Sequence, residues 1–178
     1  MLVVNLFGAP SCGKSTGASY IFSQLKLLGV DCEFVTEFAK DLTWDKQYNA
    51  LSNQLYVSGV QSERFNRLSN KVDIVITDSP LFLGAIYRTP RSNEFDKLIV
   101  EEFNKYNNIN FLINRVKQYN PNGRSQTEEQ SNELQNIIKE FANQHSISYT
   151  EIDGDTVGYQ KIIDDIMDVW CSETSINN

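Results

Sequence analysis

The segment Gly8-Ala9-Pro10-Ser11-Cys12-Gly13-Lys14-Ser15 constrains this chain more than any other stretch, because it follows the pattern GxxxxGK[ST] between an apolar run and a helical one. The run Leu2–Phe7 has strand length. From Lys14 to Leu28 the apolar residues Ala18, Ile21, Phe22, Leu25 and Leu28 recur at helical spacing, and Gly29 follows as the helix end. A glycine turn between the two lets backbone N–H groups point inward and line an anion nest, and the start of the helix adds partial positive charge. Average residue frequencies put a chance match in a chain of 178 residues at under about one per cent. Gly8, Ala9, Pro10, Ser11, Cys12, Gly13, Lys14, Ser15 and Thr16 are therefore expected to cradle the phosphates of a nucleotide such as ATP. Lys14 is expected to reach the β- and γ-phosphates and Ser15 to hold Mg²⁺ through its hydroxyl. Cys12 reads as a small space-filler rather than a redox switch.

Beyond the loop, apolar runs alternate with helical patterns. Strands are predicted at Cys32–Thr36, Val72–Thr77, Ile109–Ile113 and Ile147–Ile152. Helices are predicted at Asn49–Ser69, with Leu51, Leu55, Tyr56, Val60 and Leu68 inward, and at Asn93–Tyr106. A further helix opens at a Thr127/Gln130 capping box and runs to about Gln144, and the last spans Thr156–Trp170. Strands alternating with helices predict an α/β chain with a parallel sheet of five strands covered on both faces, and the phosphate-loop motif makes it a three-layer α/β/α P-loop NTPase fold. The expected organisation is one domain over residues 1–170, a lid at about 115–125 and a frayed tail at 171–178.

Open parallel sheets bind ligands beyond the C-terminal ends of their strands. Two acids fall there. Asp78 ends the run Val72–Thr77 and is a candidate to orient Mg²⁺; an N-cap before Ser79-Pro80 is compatible with the same place. Glu37 follows the second strand and could take a proton from an acceptor hydroxyl, or it could be an acid facing a helix N-terminus. A phosphate acceptor is already ionised near neutral pH and needs no base, so Glu37 points toward a hydroxyl acceptor. The stretch Arg115–Arg124 gathers Arg115, Lys117 and Arg124 around Pro121 and Gly123. It reads as a lid that brings Arg115 and Arg124 to the transferring group, or as a solvated loop. For an acceptor pocket, Gln54, Tyr56, Gln61 and Arg64 lie on one predicted helix, and Trp44, Tyr56 or Phe82 could stack on a base. Arg88 and Arg91 could grip a phosphate or simply face solvent, and His145 is expected to carry no chemistry.

A net charge of -7 gives no general attraction to nucleic acid or to a membrane surface. Cys12, Cys32 and Cys171 form no CxxC pair and no metal-ligand spacing, which suits reduced thiols in a cytosolic protein. No apolar run approaches the ~18 residues of a bilayer span, and Met1–Phe7 lacks the basic start of a signal peptide. The expected location is the cytoplasm, without membrane association, and the host cytoplasm if the gene is viral. A homodimer is one assembly this reading allows.

The segments GAPSCGKS, VTEFAK, VDIVITDSP and NRVKQYNPNGR together resemble the small phage-encoded P-loop kinases related to the thymidylate-kinase and deoxynucleoside-kinase group. The likeness runs from Val3 to about Asp153, and it implies a five-stranded parallel sheet of order 2-3-1-4-5. One similar branch phosphorylates 5-hydroxymethyluracil in phage DNA, a step in base hypermodification. The resemblance implies ATP at Gly8–Ser15, Mg²⁺ assisted by Asp78, Glu37 facing the acceptor and Arg115 acting from the lid. It implies a nucleotide or a DNA base as acceptor. Asp78-Ser79-Pro80 stands where thymidylate kinases carry an Asp-Arg pair, which argues against a free monophosphate acceptor. A free deoxynucleoside or deoxynucleotide kinase and a regulatory ATPase are the other readings of these residues.

Overall fold

A computed structural model of the chain describes residues 1–119 and 127–176. Five strands, β1 Leu2–Phe7, β2 Cys32–Val35, β3 Ile74–Thr77, β4 Asn107–Asn114 and β5 Thr150–Asp153, form one sheet. All pairs are parallel and the order is β2-β3-β1-β4-β5, as the sequence predicts. The helices are α1 Lys14–Leu27, α2 Phe38–Trp44, α3 Tyr48–Ser52, α4 Gln54–Asn66, α5 Leu83–Tyr87, α6 Asn93–Phe103, α7 Glu128–Gln144 and α8 Thr156–Ile176.

Every residue of β1 is buried, because side chains alternate between two covered faces. Leu2, Val4 and Leu6 join Ala18, Ile21 and Leu25 of α1 and Ile162, Ile163 and Ile166 of α8 in one core. Val3 and Phe7 join Phe82, Phe95, Ile99 and Phe141 in the other. These two cores make the three layers. The buried Asn5 sets β1 against β4: its Nδ2 donates to Asn108 Oδ1 and Asn110 Oδ1, each at 2.9 Å, and it pairs directly with Asn110 in the ladder.

Several elements differ from the sequence reading. The single helix expected over Asn49–Ser69 is two, because Asn53 breaks it and caps α4 by accepting the Tyr56 N–H. The buried face of α4 is Gln54, Val57, Ser58, Gln61 and Phe65, while Leu55 and Tyr56 are exposed. α2 and α5 were not anticipated; at 7 and 5 residues they are too short to show a stripe. β5 lies toward the later half of its predicted run, and α8 continues past Trp170 to Ile176.

Strand order reverses across β1, with β2 and β3 on one side and β4 and β5 on the other. Such a reversal opens a crevice at the C-terminal strand ends. Gly8–Gly13 leaves β1 there, Glu37 follows β2, Asp78 follows β3 and Arg115 follows β4.

Candidate active site

Between β1 and α1 the backbone adopts φ values that side chains resist. Gly8 has φ 139° and Gly13, the N-cap of α1, has φ 101°. Gly13 has no side chain to cap α1, so the first N–H groups of the helix remain available to an anion. Lys14 lies back over the loop: its Nζ donates to Gly8 O at 2.9 Å and to Ala9 O at 3.0 Å. A cation held over a turn of backbone amides is a phosphate cradle in both shape and sign. Cys12 and Pro10 are buried and fill the loop from beneath, as expected of a space-filler, and Thr16 is exposed on the first turn of α1. Tyr159 of α8 supports the cradle from outside, its hydroxyl donating to Gly13 O at 3.0 Å. Burial pushes the Tyr159 phenol up, which keeps that proton in place.

Next to Lys14, Ser15 Oγ donates to Asp78 Oδ2 at 2.5 Å. Asp78 is buried, and its Oδ1 has no hydrogen-bond partner among the described residues. A buried carboxylate oxygen without a partner is costly unless a cation satisfies it. By giving its proton to Asp78, Ser15 keeps its oxygen lone pairs available. A hydroxyl and a carboxylate are hard oxygen donors of the kind Mg²⁺ takes when it shares a site with phosphates. No group of three or more His, Cys, Asp or Glu side chains suited to a metal occurs among the described residues. Ser15 and Asp78 therefore fit Mg²⁺ held jointly with a nucleotide.

Glu37 is the N-cap residue of α2, yet its side chain makes no capping bond. The capping work is done by Gln61 of α4, whose Oε1 accepts the Phe38 N–H at 3.0 Å. Gln61 Nε2 donates to Thr36 O at 3.3 Å and to Ser79 O at 3.4 Å. One buried amide thus ties the turn carrying Glu37 to the turn carrying Asp78. Arg64, one turn on, donates to Thr36 O at 3.0 Å, pairs with Asp41 Oδ2 at 2.6 Å and lies over the Phe38 ring at 5.1 Å. Ser15, Glu37 and Asp78 share a cleft of about 280 Å³ with Ser19, Phe34, Thr36, Lys40, Asp41 and Trp44. Trp44 is 72% exposed at its rim. A second hollow, of about 390 Å³, is lined only by Lys46–Ala50 and contains none of these groups.

Arg115 leaves β4 on the opposite side. Its Nη2 donates to Asn132 Oδ1 and lies 3.4 Å from Glu128 Oε1, and the guanidinium packs 5.2 Å from the Tyr119 ring centre. Nη1 is buried without a hydrogen-bond partner among the described residues. Arg124, the other expected lid cation, and most of the lid lie outside the described residues.

The remaining sequence candidates have other duties. Phe82 is fully buried, edge-on to Phe7 and Phe103, and cannot stack on a ligand. Gln54 donates to Leu51 O, while Gln61 and Arg64 hold the Glu37 turn. Arg88 covers Phe95, and Arg91 pairs with Asp96 at 2.9 Å. The sequence reading missed Ser131 and Gln135 of α7. Ser131 Oγ donates to Pro10 O at 3.1 Å, and Gln135 Oε1 accepts the Ala9 N–H at 2.5 Å. Their signal was two polar residues four apart on the face that also carries Ile138 and Ala142.

Comparisons agree with this architecture. Comparison with curated proteins returns no match. Among solved structures, thymidylate kinase from Ehrlichia chaffeensis superposes with a TM-score of 0.61 at 16% identity, covering 93% of this chain and 98% of that one. Deoxyadenosine kinase from M. mycoides, solved with bound dATP, superposes with a TM-score of 0.52 at 17% identity, covering 94% and 98%. At such identities the likeness is one of fold. A family model described as an AAA domain matches residues 3–157, which takes in the phosphate loop, Glu37, Asp78 and Arg115. With that span matched, the chain belongs to the AAA domain family.

Proposed function

We propose that the chain is a kinase that transfers the γ-phosphoryl group of ATP to a hydroxyl of a pyrimidine nucleotide, and that the acceptor is 5-hydroxymethyluracil in phage DNA. The observation that carries the reading is the convergence of Ser15, Glu37 and Asp78 on one cleft beside the Lys14 cradle. A switch that only binds nucleotide has no need of a carboxylate in that cleft; hydrolysis would use the same carboxylate on water, and an acceptor panel separates the two.

In this reading the loop amides and Lys14 bind and orient the phosphates. Ser15 and Asp78 would hold Mg²⁺, which when bound neutralises phosphate charge. Glu37 takes the proton of the acceptor hydroxyl as its oxygen bonds to the γ-phosphorus, and ADP departs with the electron pair of the broken bond. Arg115 is the cation for the charge that builds on the transferring group. Of the three carboxylates in the cleft, Asp41 is paired with Arg64 and Asp78 would be taken by Mg²⁺, which leaves Glu37 for the acceptor, and an acid there suits a neutral hydroxyl better than a phosphate. A hydroxymethyl group on a base meets that condition, because it projects from the ring and leaves the backbone phosphates outside.

The test is incubation with ATP labelled on its γ-phosphate and a panel of acceptors. Label on DNA containing hydroxymethyluracil is the expected result. The resemblance of the deoxyadenosine kinase solved with dATP favours a second reading, a free deoxynucleoside kinase. Label confined to free nucleosides would establish that alternative and overturn the DNA acceptor. Label released only as inorganic phosphate would overturn transfer altogether.

Trp44 offers an exposed aromatic wall at the mouth of the same cleft. Base–aromatic stacking contributes ~1–3 kcal/mol, so Trp44→Ala should raise the acceptor KM about tenfold or more. Initial rates at varied acceptor concentration should show kcat within about twofold of the unaltered chain, since the wall binds the base in ground and transition states alike.

A further inference from the structure

The structure assigns to Gln135 the role of a positioning residue that holds the phosphate loop in its nucleotide-accepting form. The inference rests on the proposed ATP site and goes beyond it by naming what keeps that site open.

The Gly8–Ala9 peptide group is the pivot. Its N–H donates to Gln135 Oε1 at 2.5 Å, and its C=O accepts Lys14 Nζ at 2.9 Å. One rigid peptide plane is therefore gripped at both ends, by an amide from α7 and by the cradle's own lysine. Gly8 precedes that plane with φ 139°, a residue that offers little resistance to rotation. Without the Gln135 oxygen the plane loses one of its two restraints. Its carbonyl can then swing and take the Lys14 ammonium with it.

The contact depends on the close approach of α7 to the loop at Gly8. A Cβ on Gly8 would come 3.2 Å from Gln135 Oε1 and 2.8 Å from Ile113 O, so the approach needs glycine on one side and a long amide on the other. One turn earlier on α7, the fully buried Ser131 donates to Pro10 O at 3.1 Å and secures the next peptide but one. Glu128 and Asn132, on the preceding turns, hold Arg115. A single helix thus sets the loop and the cation across from it.

The inference is tested on the full chain with Gln135→Met, which keeps length without a good acceptor, and Gln135→Glu, which keeps an acceptor oxygen. Amide exchange is followed by NMR without nucleotide, and Mg·ATP affinity by calorimetry. The Met variant should exchange the Ala9 amide at least about tenfold faster, as expected when a hydrogen bond is lost, while amides of β1 and β4 stay protected. Its Kd for Mg·ATP should rise about tenfold, with kcat at saturating ATP within about threefold, a loss of ground-state positioning rather than of chemistry. The Glu variant should keep Ala9 protected. An equally protected Ala9 amide in the Met variant, or an unchanged Kd, overturns the assignment. An unaltered chain that protects Ala9 yet binds no Mg·ATP overturns the proposed function instead.

Discussion

Lys14→Ala should lower turnover by about 10³-fold or more, on the scale of losing a charged donor to a transferring phosphoryl group. Two facts make the expectation large. The ammonium is the cation of the cradle, seated on Gly8 O and Ala9 O, and alanine leaves nothing to follow the phosphates as charge moves between them. Tyr159 and Gln135 hold the loop from its flanks but carry no charge to replace it. The fold should survive, because Lys14 is only partly buried and its two bonds reach loop carbonyls outside the two cores, so that even at about 1.5–3 kcal/mol for a charged donor their loss falls on the loop. The check is the labelled-ATP assay beside a thermal melt. Turnover within tenfold of the unaltered chain would contradict the cradle as the site of transfer.

Glu37→Gln should separate chemistry from binding. The amide matches the carboxylate in shape but is no base, so kcat should fall by about 10²–10⁴-fold, the range of general-base catalysis. Affinity for Mg·ATP should stay within about twofold, since Glu37 follows β2 while the cradle follows β1. The turn itself should not move, because its position is fixed by Gln61 and Arg64 and not by a capping bond from Glu37. Single-turnover measurement at saturating ATP gives the answer. An unaltered rate constant would remove Glu37 from the chemistry and leave the acceptor proton to water.

What could be read from the chain, and what could not, divides along physical lines. The unit β1–loop–α1 was legible because three signals coincide: an apolar strand, the GxxxxGK[ST] pattern and a helical stripe, and the structure puts both of its glycines at positive φ. The parallel sheet followed from the alternation of elements, and its order from the likeness to P-loop kinases. The turns after β2 and β3 were also legible, since an acid at a strand's C-terminal end has few other places to go. The supports of those turns were not. Gln61, Arg64, Ser131 and Gln135 act through hydrogen bonds to backbone atoms far away in sequence, and such bonds leave no periodic trace. The helix over Asn49–Ser69 was misread for the same reason. A search for apolar stripes chose Leu55 and Tyr56, whereas the face turned inward mixes Val57 and Phe65 with Gln54, Ser58 and Gln61, and Gln61 meets the turns that follow β2 and β3. Phe82 as a stacking ring failed because an aromatic near a strand end serves the core as readily as a ligand.

Calorimetric titration of the purified chain with ATP, in magnesium and again in its absence, bears most directly on the account. Saturable binding at one site per chain is the expected result, weakened when magnesium is withdrawn and lost in Lys14→Ala. No saturable binding with magnesium present, or binding indifferent to both changes, would contradict a triphosphate held by Gly8–Ser15 and Asp78.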